Sequence, residues 1–372
     1  MEQIHDVAIA GGGPAGASCA TLCAVAGLKT VVLEKARFPR DKVCGDCVNP
    51  GCWGVLEELG VAGKVLGAAH ARIAEVALVG MDGRRVGFEL SGVRCGEIGV
   101  TRRVLDEILL RRSAEAGAEV CEEVTIRGLS RDAAGVWRVL AEDRVYRARR
   151  LVAADGRNST VARLLGVAPA ARRDRVGLQT HIATNGGTVR GIELHLMPEG
   201  YCGVAPVGEG LTNYCMVAAA GRLEGLKGAV SERFGLGPAR VWRAIAPLER
   251  APVGPLLDGV VYVGDAARVV EPFTGEGIYY ALQSGRLAAE CIIGARVERY
   301  PALHAALYRR RLWINGLARW AVTHPRSGEA LLQVMSACPA LPRYLVGRVI
   351  GAGYAAGSGR ADDIQNMDQP AC

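Results

Sequence analysis

The chain has 372 residues, half of them hydrophobic, with 49 glycines, aromatics at only 5% and a formal net charge of +7 carried almost wholly by arginine. That length predicts two or three domains around a sizeable core of small and aliphatic side chains. No basic patch is interleaved with aromatics, which argues against a nucleic-acid partner, and no apolar run is long enough to cross a bilayer.

Ile4 to Ala10 is short, apolar and near-continuous, the pattern of a buried parallel strand. It starts without a basic leader, so a cytoplasmic location is expected, with free thiols rather than a disulfide framework for the 12 cysteines. Gly11-Gly12-Gly13-Pro14-Ala15-Gly16 follows and fits G-x-G-x-x-G at Gly11, Gly13 and Gly16. Gly11 permits the tight turn, Gly13 lets backbone approach a pyrophosphate, and Gly16 lets the next helix pack close. A helix over Pro14 to Ala26, stopped by Gly27, aims its unpaired N–H groups and positive dipole end at the phosphates. Thr30 to Leu33 is the second strand, and Glu34 at its end is placed to accept hydrogen bonds from ribose hydroxyls. Strand, fingerprint, helix, strand and acid in this order predict a dinucleotide site. A second phosphate-side motif about 250 residues later suggests a flavin enzyme whose FAD domain opens and closes the chain.

Lys35 to Pro50 is polar and proline-bearing, without helical or strand period, and reads as a loop. Its segments Glu34-Lys35, Phe38-Pro39-Arg40 and Lys42-Val43-Cys44-Gly45-Asp46 resemble the corresponding stretch of the geranylgeranyl reductase family. Those FAD-dependent enzymes share the GR2-type aromatic-hydroxylase fold with flavin monooxygenases and flavin-dependent halogenases. The resemblance implies that this loop, with Lys35, Arg40 and Gly45, runs along the flavin and that Cys44 lies near the isoalloxazine ring and is a candidate for the chemistry. Cys44-x-x-Cys47, with Cys52 five further on, also admits a redox pair or half a zinc site. A structural zinc site needs four ligands, and no second C-x-x-C or histidine pair follows, so no metal is expected.

Gly51 to Leu59 reads as a helix, and Ala74–Val79 and Arg85–Leu90 as strands around the hairpin signal Met81-Asp82-Gly83, an excursion into a β-rich domain. Arg103 to Ala116 is an amphipathic helix. Arg102-x-x-Leu105-Asp106 matches the family's R-x-x-[LF]-D pattern, whose arginine contacts the cofactor; a plain surface arginine is the other reading. Ala118 to Val124 is the next parallel strand, with Val124 expected on the adenine side. Val136–Leu140 and Arg144–Ala148 form a hairpin, and a separate apolar strand from Leu151 ends in Asp155-Gly156. Asp155 is placed to cap a helix starting near Asn158, while the resemblance sets the Asp-Gly motif between FAD and an incoming pyridine nucleotide.

From Ala168 to Pro252 the pattern has period two, a second antiparallel sheet that would roof the flavin. His181 and His195 lie on its strands, either lining a substrate pocket or serving as ordinary sheet residues. Gly200-Tyr201-Cys202-Gly203-Val204-Ala205-Pro206 is similar to the family's Y-x-W-x-F-P, with Gly203 in place of the tryptophan and Ala205 in place of the large apolar residue. Losing two large side chains predicts a wider pocket, or one refilled by other residues. The last strand ends in Gly264-Asp265, and Pro272-Phe273-Thr274-Gly275-Glu276-Gly277-Ile278 leads into a helix through Glu290. The resemblance makes this the second FAD motif, with Asp265 on the ribityl or pyrophosphate oxygens, Gly275 in the turn, and the N–H groups of Gly277 and Ile278 toward the pyrimidine edge. A helix N-terminus there would stabilise negative charge on reduced flavin. Helices at 302–322, 328–337 and 342–350 are amphipathic enough to pack over the chain's own sheet or to touch a membrane peripherally, and 362–372 is polar.

The expectation is an α/β protein: a Rossmann-type FAD-binding domain in three pieces (1–72, 98–167, 253–300), a β-sheet substrate domain (73–97, 168–252) and a C-terminal helical region (301–372). It implies an FAD-dependent oxidoreductase working through reduced flavin on a small or lipid-like molecule, with NAD(P)H or a donor protein supplying electrons. Reduction of a carbon–carbon double bond leads, a flavin monooxygenase is the alternative, and a halogenase or a binding module without flavin follow. The substrate and the oligomeric state are left open.

Overall fold

The computed structural model describes residues 3–345 except 91–95, 143, 173–174, 185–190, 238–240, 310, 339 and 343. Ile4–Ala10 pairs in parallel with Thr30–Leu33 on one side and Val145–Ala153 on the other. Glu119–Cys121 and Val260–Tyr262 extend the parallel run at its two ends. Both faces of this sheet are buried, which is why its strands read as unbroken apolar runs. Val7 and Ile9 face the helices with Cys19, Ala20 and Ala288. Ala8, Ala10, Val31 and Leu33 face an antiparallel meander carrying Trp137 and Tyr146.

Helix Pro14–Val25 ties the two ends of the chain together. It lies so close to helix Gly277–Ile293 that a Cβ at Gly285 would sit 2.2 Å from the Ala15 carbonyl oxygen. Ser18 Oγ donates to Leu282 O across the same seam at 3.1 Å.

The second sheet runs in the order Arg243–Ile245, Arg175–Ala183, Leu211–Ala219, Gly200–Pro206, Ile192–Met197, Glu75–Val79, Arg85–Glu89. It is mixed rather than purely antiparallel, because Glu75–Val79 arrives from a distant part of the chain and pairs in parallel with Ile192–Met197. Its outer face is covered by helix Leu223–Arg233 through Leu226 and Val230, an element the period-two reading missed. Its inner face is covered by helices Leu312–Thr323 and Pro325–Ala337, whose Val322, Leu332 and Met335 pack with Phe88, Leu196 and Val217. The tail therefore folds over the chain's own sheet. Among the described residues no helix is long and apolar enough to cross a membrane.

Other expectations need correction. The hairpin strand at Arg144–Ala148 and the strand from Leu151 are one nine-residue strand, Val145–Ala153, since no turn residue separates them. One edge of it pairs first with Trp137–Leu140 and then with Val260–Tyr262. The parallel strand expected over Ala118–Val124 is only Glu119–Cys121, with Val124 beyond it. The helix at 302–322 breaks into Tyr300–Arg309 and Leu312–Thr323. Most of 342–350, and all of 362–372, lie outside the described residues. A three-stranded sheet of Cys47–Val48, Glu97–Gly99 and Ala71–Ile73 was not anticipated; its strands are too short to show a period.

Candidate active site

The three fingerprint glycines are required for different reasons. Gly11 has φ +102°, and a Cβ there would lie 2.6 Å from Ala154 O. A Cβ on Gly16 would lie 1.9 Å from Gly11 O. The protein's own packing demands both. Gly13 differs: its φ of −70° suits any residue, and the nearest atom to its missing Cβ is Arg40 Nη2 at 3.6 Å. Its open side faces a cleft also lined by Pro14, Ala15, Gly45, Gly275, Gly277 and Ile278. Gly45 and Gly277 likewise have no atom within 4 Å of where a Cβ would stand. Glycines that packing does not require, gathered around one cleft, leave backbone open to a ligand. Gly264 and Gly275 hold left-handed φ of +55° and +66° at the turn opposite.

Glu34 is buried and braces the loop: its Oε2 accepts from Gly12 N at 2.7 Å and its Oε1 from Ala36 N at 2.9 Å. Val124 N donates to Glu34 O, which brings Val124 to this edge. Lys35 is exposed and outside the cleft lining.

Arg102 is a buried cation, which overturns the surface reading. It forms two parallel 2.7 Å bonds to Asp106, and Arg40 Nη1 stands 3.0 Å from the same carboxylate while its guanidinium covers the Phe38 ring. Lys42 and Arg157 line the cleft beside them, Arg157 Nη2 lying 3.3 Å from Asp265 Oδ2. Burial, with Arg102 adding repulsion, brings the Lys42 amine down to about 8. Asp155 Oδ2 accepts from Thr160 N and Val161 N at 2.7 and 3.0 Å, and Ser159 is the N-cap itself. The Arg157 Nε and Asn213 Oδ1 atoms are buried without a hydrogen-bond partner among the described residues. Both residues line the cleft, so polar groups there are open to a ligand.

The Cys44 segment is held from the second sheet. Cys44 O accepts from Gln179 Nε2 at 2.7 Å and Asn213 Nδ2 at 2.9 Å. Asp46, at φ +58°, accepts from the Gln179 amide at 2.8 Å and lies 2.6 Å from His181 Nε2. Cys44 lines the cleft, and burial pushes its thiol up against the opposing pull of Arg102. Cys47 donates to Gly45 O at 3.1 Å, and burial holds it well above the usual thiol range. Both are free thiols, protonated at neutral pH. Among the described residues no cluster of three or more His, Cys, Asp or Glu could hold a metal.

The two histidines do not line the cleft. His181 is engaged by Asp46 and faces a separate, shallower pocket with Lys64 and Arg103. His195 alternates with Leu194 and Leu196, so it points to the outer face, bonded to Glu193 at 3.0 Å and edge-on to Phe234 at 5.0 Å. Leu194 and Leu196 take the inner positions. Leu194 also answers the missing tryptophan, since its Cδ2 stands 3.4 Å from where a Gly203 Cβ would be.

The cleft holds about 2400 Å³ of empty space including its mouth, and its ends differ chemically. Lys42, Arg102, Arg157 and Asp265 surround the glycine-loop end. Phe88, Leu194, Leu196, Leu248, Leu332 and Met335 enclose the other, under the tail helices. Lys42, Glu97, Arg157 and Asn213 were not singled out from the sequence as site residues. Lys42 belongs to the same motif as Cys44 and could have been; Glu97 and Asn213 carry no local signal.

A family model described as "FAD binding domain" matches residues 5–209. The chain is 30% identical over 332 residues to conditioned medium factor receptor 1 of Dictyostelium discoideum, covering 80% of this chain but spanning only 65% of that relative's length. It is 30% identical to menaquinone reductase of Mycolicibacterium smegmatis, covering 88% of this chain and 86% of the relative. It is 32% identical to digeranylgeranylglycerophospholipid reductase 1 of Methanopyrus kandleri, covering 79% and 81%. Among solved structures, a flavin-dependent brominase superposes with TM-score 0.78 at 19% identity, covering 95% of this chain and 94% of that one. A geranylgeranyl bacteriochlorophyll reductase-like protein of Thermoplasma acidophilum superposes with TM-score 0.74 at 23% identity, covering 90% and 92%.

Proposed function

The chain belongs to the FAD binding domain family and is an FAD-dependent oxidoreductase, and on that premise we propose that it reduces carbon–carbon double bonds in a hydrophobic, isoprenoid-type substrate. The observation that carries the reading is the chemical asymmetry of the cleft: a cationic, glycine-walled end continuous with an aliphatic chamber. FAD would lie along Gly11–Gly16, Glu34, Arg40, Gly45, Arg102, Asp265 and the Gly275–Ile278 turn, and when reduced it supplies hydride. The open sides of Gly13, Gly45 and Gly277 fit such a group. The electrons come from NAD(P)H or a donor protein. Aliphatic walls bind an extended hydrocarbon by excluding water and offer a hydroxylated aromatic little to anchor it. The digeranylgeranylglycerophospholipid reductases among the relatives are named for a lipid with unsaturated isoprenoid chains.

Cys44 is the reactive side chain the family resemblance points to, and its thiol borders the cleft in the protonated form. The replaced wall at Gly203 and Ala205 departs from the reductase pattern and so supports the second reading, a flavin monooxygenase. The test is to reduce the flavin-loaded protein under anaerobic conditions and add a geranylgeranyl lipid in detergent. Product gaining two hydrogens without oxygen supports the proposal. Product that forms only after admitting labelled oxygen, and carries the label, refutes it and selects the second reading.

A further inference from the structure

Resting on the double-bond reduction above, we propose that Glu97 is the acid of this site, protonating the alkene carbon that does not receive hydride. The two carbons gain one hydrogen each. One would come as hydride, with two electrons, from anionic reduced flavin, which would be left as neutral oxidised flavin. The other arrives as a proton from Glu97, which ends as carboxylate and is reprotonated from water. In an aliphatic chamber that excludes water, the proton must come from a side chain that is a neutral acid near pH 7.

The cleft offers few such groups. Asp265 is paired with Arg157, and Asp46 with His181 and Gln179. Lys42 and Arg102 stand at the cationic end. Glu97 differs from all of these. It lies on the central strand of the Cys47–Val48, Glu97–Gly99, Ala71–Ile73 sheet, is 7% exposed, and lines the cleft. Its strand face also carries Gly99, whose missing Cβ would stand 1.9 Å from Pro206 O, so that face is turned to the end of the substrate sheet. Among the described residues no arginine, lysine or histidine is within ion-pair distance of it. The titratable groups that face it are Cys47 and Cys52, both buried thiols that its charge pushes further up. Burial without a countercharge brings the Glu97 carboxyl up to about 8. It is therefore protonated at neutral pH, and a stronger acid than the thiols around it, which burial moves above their usual 9.0. A proton donor works best when its pKa lies near the working pH.

The experiment uses flavin-loaded, anaerobically reduced protein, with a geranylgeranyl lipid in detergent, and follows reoxidation by stopped flow across pH. Wild type should lose rate as pH rises through about 8. Glu97→Gln should bind flavin normally, react about 100-fold slower or worse, and lose that pH limb, with Glu97→Asp partly restoring both. Cys44→Ser should keep the limb. A readout independent of turnover is infrared: wild type at pH 7 should show a protonated carboxyl band that Glu97→Gln lacks. Wild-type rate and an unchanged limb in Glu97→Gln, or absence of the band, overturns the assignment while leaving alkene reduction standing. Wild-type protein that reduces no alkene overturns both.

Discussion

Substituting Gly13 and Gly16 by alanine, one at a time, should produce opposite effects on folding and on cofactor binding. At Gly13 the backbone has φ −70° and ψ −178°, which alanine adopts freely, and the new methyl meets only the mobile end of Arg40 at 3.6 Å. Removing glycine's freedom in the unfolded chain should leave the cofactor-free protein unchanged or more stable by about 0.5 kcal/mol. The same methyl enters the space beside the cleft where a pyrophosphate must touch backbone, so FAD affinity should fall about 100-fold, near 3 kcal/mol. At Gly16 the methyl would stand 1.9 Å from Gly11 O, over 1 Å inside any tolerated contact, so strand and helix must separate. Overpacking of that size between two rigid elements costs about 3 kcal/mol or more. Urea unfolding of the cofactor-free proteins gives the stability terms, and fluorescence titration with FAD gives affinity. The argument fails if Gly13→Ala unfolds earlier than wild type, or binds FAD equally well. In the first case the glycine is structural, and in the second the cofactor does not lie there.

Glu97 makes a prediction that needs no substrate. Folding raises its carboxyl from 4.5 to about 8, so the native state holds the proton more tightly than the unfolded chain. Its stabilising contribution is full below pH 4.5 and is lost as pH rises through about 8, a swing of about 5 kcal/mol at 1.36 kcal/mol per pH unit. Urea midpoints of wild type and Glu97→Gln should therefore coincide below about pH 4.5, diverge between there and about 8, and stay apart above it with the variant more stable; parallel profiles would contradict the burial of this group. Gly285→Ala should push the two ends of the chain apart, because its methyl would lie 2.2 Å from Ala15 O, and lower both the unfolding midpoint and flavin content. His195→Ala should leave turnover within twofold while costing on the order of 2 kcal/mol, since the ring packs on Phe234 outside the cleft; loss of turnover without loss of stability would return it to the chemistry. Leu194→Trp should fill the apolar chamber and raise KM for long isoprenoid substrates more than for short ones, measured with chains of graded length.

Local signals in the sequence carried the parallel-sheet part of the molecule and left much of the second sheet dark. Gly11, Gly16 and Gly264 are required by contacts a few residues away or by their own dihedrals, so their type alone announces the turns. Arg102 was marked by its match to the family's R-x-x-[LF]-D pattern, but its burial came from Arg40 and the loop above, which no local signal shows. Period two told which residues of Ile192–Met197 share a face but not which face is inside. The inside face was decided by helices Leu223–Arg233 and Leu312–Thr323, which claim opposite sides of the sheet. The sequence therefore left His195 open between the pocket and an ordinary sheet position, and the structure puts it behind the pocket, against Phe234. Glu97 was invisible for the same reason: its neighbours are Cys47 and Cys52, some 50 residues away in sequence.

The two ends of the cleft are not independent, because the same short segment serves both. Glu271 and Glu276 flank the Pro272–Gly275 turn, and both are buried. Glu271 receives Arg175 through bonds of 2.8 and 2.9 Å from the second sheet, the Tyr201 hydroxyl at 3.3 Å, and Arg319 at 3.3 Å from the tail. Glu276 receives Asn315 at 3.0 Å from the same tail helix and Arg311, at that helix's N-cap, at 2.9 Å. Buried carboxylates bonded to several donors tolerate the loss of one partner poorly, since the remaining charge is left desolvated. The tail helix that roofs the aliphatic chamber is thus fastened to the turn that faces the glycine loop. The roof of the aliphatic chamber and the backbone of the Gly275–Ile278 turn are joined by these two carboxylates, so a substitution at either should be felt at both ends of the cleft.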